Sequence, residues 1–197
     1  MTPPVRAVVV SAVLAIFDAG CSSTPPAHFY TLSPTSTSAA APSELSVAVG
    51  PVAVPAAVDR PQIVVSLGPN SVWLDEFNRW AAPLQDDIAR VVAENLVAML
   101  GTPRVARASQ TVSAGFNYRA VIAVESFESV PGEMAKLDAV WTVSRSTDGT
   151  TKTGRTTVRE QTTEKSYEAL AAAHSRAVGK LSRDIADAVG ALERREK

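Results

Sequence analysis

The feature that most narrows the fold is a long stretch of two-residue alternation in the second half of the chain. Phe116, Tyr118, Ala120, Ile122 and Val124 alternate with more polar residues up to Val130, Pro131-Gly132 turns the chain, and a second such stretch runs from Glu133 through Arg145. Successive side chains of a strand point to opposite faces, so this period specifies sheet with one face buried. Asp148-Gly149 is a further hairpin signal, and a Thr-rich run from Thr150 to Thr163 follows it. Short turns between consecutive strands require antiparallel pairing, so residues 116–163 predict a meander whose inner face needs a cover.

Two amphipathic helices supply the cover. Pro83 opens the first, in which Leu84, Ile88, Val91, Val92, Leu96, Met99 and Leu100 fall at three- and four-residue spacing before Gly101 stops it. Asp86 and Asp87 lie in its first turn, near the positive end of the helix dipole, and read as a solvated face with Asp86 paired to Arg90. Tyr167, Leu170, His174, Val178, Leu181, Ile185, Val189 and Leu192 mark one face of a long closing helix. Ahead of these, Leu45–Val54 alternates as a strand in which Pro51 suits an edge or a strand end, and Ile63–Leu67 and Ser71–Leu74 form a hairpin about Gly68-Pro69-Asn70. The order strands, helix, strands, helix predicts an α+β single domain: a mostly antiparallel sheet with two main amphipathic helices packed on it. A length of 197 residues, 46% of them hydrophobic, suits one such domain.

The amino terminus reads as an address. Arg6 precedes the apolar run Val8–Phe17, and the small residues Ala19-Gly20 stand directly before Cys21. A run of about ten residues is too short for a hydrocarbon core, which takes about 20 helical residues. Residues 1–20 are therefore expected to be a cleaved signal peptide. Cys21 after Ala-Gly resembles a bacterial lipobox, although Asp18 stands where an apolar residue is usual, and the resemblance implies lipidation of Cys21. Ser22 and Ser23 lack the aspartate of inner-membrane retention, which implies the outer membrane, facing the periplasm. Residues 22–43 are rich in Ser, Thr, Pro and Ala and carry no charge. They are expected to be a tether, with a short docking strand near 28–32, ahead of a domain spanning 44–197.

Little catalytic chemistry is on offer. His28 falls in the expected tether and His174 on an apolar helix face, where a core residue with a satisfied ring nitrogen is the expectation. The one cysteine excludes an intrachain disulfide and a thiolate cluster. Neither spacing of a phosphate-binding glycine loop occurs, and no cofactor or metal is expected. Nineteen Lys+Arg against twenty Asp+Glu give no footprint for nucleic acid. Asp75, Glu76, Asp86 and Asp87 read as solvated acids, and Trp73, Trp80 and Trp141 as core.

Several segments taken together resemble one family. They are Phe29-Tyr30-Thr31-Leu32, Val49-Gly50-Pro51-Val52, Arg79-Trp80-Ala81-Ala82-Pro83-Leu84, Asn95-Leu96, Leu137-Asp138-Ala139-Val140-Trp141, Tyr167-Glu168-Ala169-Leu170 and Ala173-His174-Ser175. In order and spacing they resemble the PqiC-type auxiliary lipoproteins of ABC-type, MCE-linked membrane lipid transport. The resemblance implies a small non-catalytic α+β domain that docks a periplasm-spanning MCE-domain protein and its transporter subunits at the outer membrane, held there by a lipid anchor such as palmitate. It also implies a ring-like homo-oligomer. Phe29, Tyr30, Arg79 and Trp80 are the motif residues singled out for an interaction or structural role. The competing reading is a lipoprotein activator of a cell-wall synthase. Its linker must cross peptidoglycan, whereas 22 residues at about 3.5 Å each reach about 75 Å at full stretch. A periplasmic hydrolase using His174 is a third.

Overall fold

The meander forms as its alternation requires. In the computed structural model, which describes residues 25–37, 40–108 and 115–194, strand β6 (Tyr118–Val130) pairs antiparallel with β7 (Met134–Arg145), and β7 with β8 (Thr151–Gln161). The inner residues of β6 and β7, among them Ala120, Ile122, Leu137, Ala139 and Val143, are buried. Trp141 lies flat against Gly154 directly across the ladder, where a side chain would collide with its ring. Its Nε1 donates to Thr156 Oγ1 at 2.9 Å, so the polar end of the buried indole is satisfied.

Strand β2 (Val47–Ala53) extends this sheet on the other side of β6 and runs parallel to it, with the three-residue β5 (Val105–Arg107) beyond, giving the order β5-β2-β6-β7-β8. Pro51 is expected at an edge or a strand end, and it lies two residues before the end of β2. That is tolerated because β5 pairs only with Val47–Val49, and the register with β6 shifts between Val49 and Val52. A second, three-stranded sheet has the order β1-β4-β3, with β1 His28–Tyr30, β3 Gln62–Gly68 and β4 Ser71–Trp80. The expected hairpin is thus present, and its second strand runs six residues further than the sequence indicated.

Both helices, α1 (Leu84–Leu100) and α2 (Tyr167–Glu193), cover the inner face of the five-stranded sheet and pack on one another. Pro83 stands at the start of α1, and Gly101 closes it in the left-handed conformation (φ 63°), returning its N–H to Val97 O. Ser166 caps α2 by accepting from the Ala169 amide at 3.1 Å. One hydrophobic core joins both helices and both sheets. The architecture is α+β; the long ladders are antiparallel, and the shorter β1–β4, β2–β5 and β2–β6 pairs are parallel.

Two expectations need correction. The tether expected over 21–43 docks near 28–32 as expected, where β1 pairs with β4, but the described residues after it, placed outside a domain beginning at 44, are bonded to the domain as well. Leu32 is buried, its amide donates to Asp87 Oδ2 at 2.7 Å, and Arg90 Nη2 donates to its carbonyl at 2.6 Å. Asn95 Oδ1 accepts from both Thr35 N and Ser36 N at 3.0 Å, and Ser175 Oγ accepts from Ser33 N at 3.0 Å. Further on, Ala40 N reaches Ala98 O and Ser43 N reaches Gly101 O, each at 2.9 Å. The segment is a strap laid over the two helices. Beyond Leu32 it buries little apolar surface, and its described residues are held by hydrogen bonds to side chains and backbone carbonyls of α1, α2 and Gly101. The other correction follows from this one: Asp87 is buried, and it, rather than Asp86, pairs with Arg90 at 2.6 Å.

Candidate functional site

The motif residues meet in one ladder. β1 pairs parallel with the end of β4, in the register His28 with Asn78, Phe29 with Arg79 and Tyr30 with Trp80, so two segments some fifty residues apart become direct neighbours. Within the ladder the four side chains separate. Trp80 is buried, edge-on to Phe127 and His174 at ring-centroid distances of 6.1 and 6.2 Å. Arg79 stays at the surface, where its Nε donates to Glu76 O at 2.7 Å. Phe29 is exposed, and Tyr30 donates its hydroxyl to Asn78 Oδ1 at 2.8 Å. Cys21 lies outside the described residues.

A bulge in β4 shapes this corner. Gln62 pairs with Arg79 but Ile63 with Asp75, so Glu76–Asn78 stand out of the ladder with β3. Asp75 Oδ1 holds the bulge by accepting from Phe77 N and Asn78 N at 2.9 Å, while its Oδ2 accepts from Tyr167 Oη at 2.6 Å. Burial opposes the Asp75 charge, but these hydrogen bonds outweigh it and hold its pKa below the ordinary value. Burial, followed by the bond to Asp75, raises that of Tyr167. The Tyr167 ring lies 6.0 Å from that of Tyr30, so the start of α2, the bulge and β1 are locked together.

Beside the corner, the hairpin of β3 and β4 and the second half of β6 border a cleft of about 650 Å³ lined by Val58, Val64, Val72, Phe127, Ser129 and Met134. β2 pairs with β6 only as far as Ala123, which leaves this part of β6 without a strand on that side. Ser129 Oγ lies 2.9 Å from Nε2 of the buried His174, whose ring stacks on Phe127 at 3.8 Å. The other ring nitrogen, Nδ1, has no hydrogen-bond partner among the described residues. Burial pushes the His174 pKa down to about 3, which makes the ring too weak a base to activate a hydroxyl near neutral pH. Among the described residues no group of three His, Cys, Asp or Glu converges as metal ligands, and no helix is long and apolar enough to cross a membrane.

Trp73 departs from its expected place in the core. It stands 57% exposed near the tip of the hairpin, while Trp80 and Trp141 are 5% and 6% exposed. The strap's holders Asp87, Arg90, Asn95 and Ser175 escaped sequence reasoning. The available signal was polar residues at core-facing helical positions, with Asn95 and Ser175 on stripes that are otherwise apolar.

Two solved structures share the fold. One, an uncharacterized protein, superposes with a TM-score of 0.69 at 17% identity, over 84% of this chain and 99% of its own. The other, a Xanthomonas campestris protein of the DUF330 family, gives 0.62 at 18% identity, over 86% and 99%. No curated protein matches the sequence. The model of the family described as ABC-type transport auxiliary lipoprotein component matches residues 30–186, from the strand that starts the strap to the last turns of α2, and the chain belongs to that family.

Proposed function

We propose that the chain is a non-catalytic accessory lipoprotein of a lipid transport system, anchored through Cys21 in the outer membrane and docking a periplasm-spanning MCE-domain protein. In its family the component is a transport auxiliary, and lipoprotein character implies association with the cell envelope. The observation that carries the finer reading is the strap. Only six residues separate Cys21 from the first strand residue, His28, so over these seven steps an anchored domain stays within about 23 Å of its lipid at full extension. An activator that must cross peptidoglycan needs more chain than this. A weakly basic His174, with no hydrogen-bond partner at Nδ1 among the described residues, likewise favours a holding role over hydrolysis.

Multiple acyl chains bind firmly where one binds marginally, and localisation raises the effective concentration of the domain near its partner. Cross-linking in native envelopes with a carboxy-terminal tag, followed by mass spectrometry, is expected to recover an MCE-domain protein with transporter subunits, and cross-linked copies of the chain itself if it forms a ring. A peptidoglycan synthase in their place overturns the proposal. Cys21→Ala is expected to lower transport without unfolding the domain, and an unchanged transport phenotype would remove the anchor from the mechanism.

A further inference from the structure

Among the described residues seven large hydrophobic side chains are exposed, and five of them, Phe29, Leu67, Val72, Trp73 and Phe77, belong to the three-stranded sheet. Its hairpin carries no charge at all from Pro61 to Leu74. Protein surfaces normally carry charged residues at about one position in four, and edge strands such as β3 are usually guarded by a charge or a proline. Val72 and Trp73 are consecutive in a strand and so point to opposite faces, which makes the tip apolar on both sides. A protein partner docking on one face would leave the other side wet.

The direction of β1 says what lies near this tip. β1 is parallel to β4, so its amino-terminal end, His28, faces the hairpin-turn end of the sheet. Cys21 lies seven residues before His28, and Ser71 lies seven before its register partner Asn78. At about 3.3 Å per residue each span is at most about 23 Å, so the lipidated residue can reach the level of the tip. We propose that the uncharged end of the β3–β4 hairpin, with Leu67, Val72 and Trp73, seats in the phospholipid surface beside the acylated amino terminus. Tryptophan favours the boundary between headgroups and acyl chains, and an uncharged tip enters it without the cost of dehydrating a charge. The seat is a second membrane contact, one that fixes the orientation of the domain as acyl chains alone do not. It rests on the anchor reading for its location.

Trp73 is its own reporter, because Trp80 and Trp141 are buried. The lipidated chain, purified from envelopes and placed in phosphatidylethanolamine and phosphatidylglycerol vesicles, is expected to show quenching of its exposed tryptophan component by brominated acyl chains, and Trp73→Phe is expected to abolish that quenching. The signal-free Cys21→Ser chain is expected to bind the same vesicles weakly, and Trp73→Ser to reduce that binding about tenfold. Lipidated protein that sediments with vesicles while Trp73 stays unquenched overturns the seat and leaves the anchor standing. A chain from envelopes that carries no acyl group, whose Cys21→Ser form nevertheless seats Trp73 in vesicles, sinks the anchor and keeps the seat. Shielding of Trp73 from both brominated lipid and an aqueous quencher, with self-association, shows a second copy over the hairpin and overturns the proposal.

Discussion

His174 shows how one buried group sets a pH dependence. With its pKa near 3 in the fold and about 6.5 in the unfolded chain, only the unfolded chain takes up its proton between those values. Stability therefore falls as pH falls through that window, by at most about 1.4 kcal/mol per unit from this group. Urea unfolding at about pH 7 and about pH 5.5 should show the wild type losing about 1 kcal/mol more than His174→Gln, which has no such proton to gain. Equal losses would mean that the ring titrates normally inside the fold. The apolar stripe of the closing helix placed His174 in the core from sequence alone, whereas its stacking on Phe127 and its contact with Ser129 needed the tertiary structure, because β6 brings those residues from more than forty positions away.

At the scale of elements the strap and α1 stabilise each other. Asp87 is buried where Leu32 N and Arg90 both bond to it, and removing its carboxylate strands the Leu32 amide and leaves Arg90 to Glu94 and the Leu32 carbonyl. Asp87→Ala is expected to cost about 2–4 kcal/mol and to raise amide hydrogen exchange at Leu32 and its neighbours ahead of global unfolding. Exchange that rises only with global unfolding would show the strap to be held by other contacts. Composition marked this segment as lacking a core, correctly for residues that bury only Leu32 deeply. It gave no view of the partners, because an amide bonded to a distant carboxylate leaves no periodic trace in the segment that donates it. The six-residue excess of β4 is of the same kind, since Asp75, Asn78 and Arg79 continue no apolar alternation and gain their places only through the bulge and β1.

For the molecule as a whole, the strap moves the start of the folding unit. A chain beginning at residue 44 lacks β1 and Leu32, whose side-chain burial alone is worth about 2 kcal/mol. Its thermal midpoint is expected about 10 °C below that of a chain beginning at residue 25, and calorimetry on the two chains measures the difference. Equal midpoints would place the strap outside the cooperative unit. The family match, which starts at Tyr30, already includes the strap. What the sequence determined by itself was whatever follows from local period and turn chemistry: the meander, its hairpins, the two helices, the α+β class and the expectation of an amino-terminal lipid. Those features are written in neighbouring residues and in the contrast between apolar and polar side chains. The tertiary structure alone decided that Phe29-Tyr30 would pair with Arg79-Trp80, that Asp87 would be buried and that Trp73 would be left outside the core. Each depends on contacts between segments far apart in the chain, where the energy lies in bonding and packing geometry that no local pattern encodes.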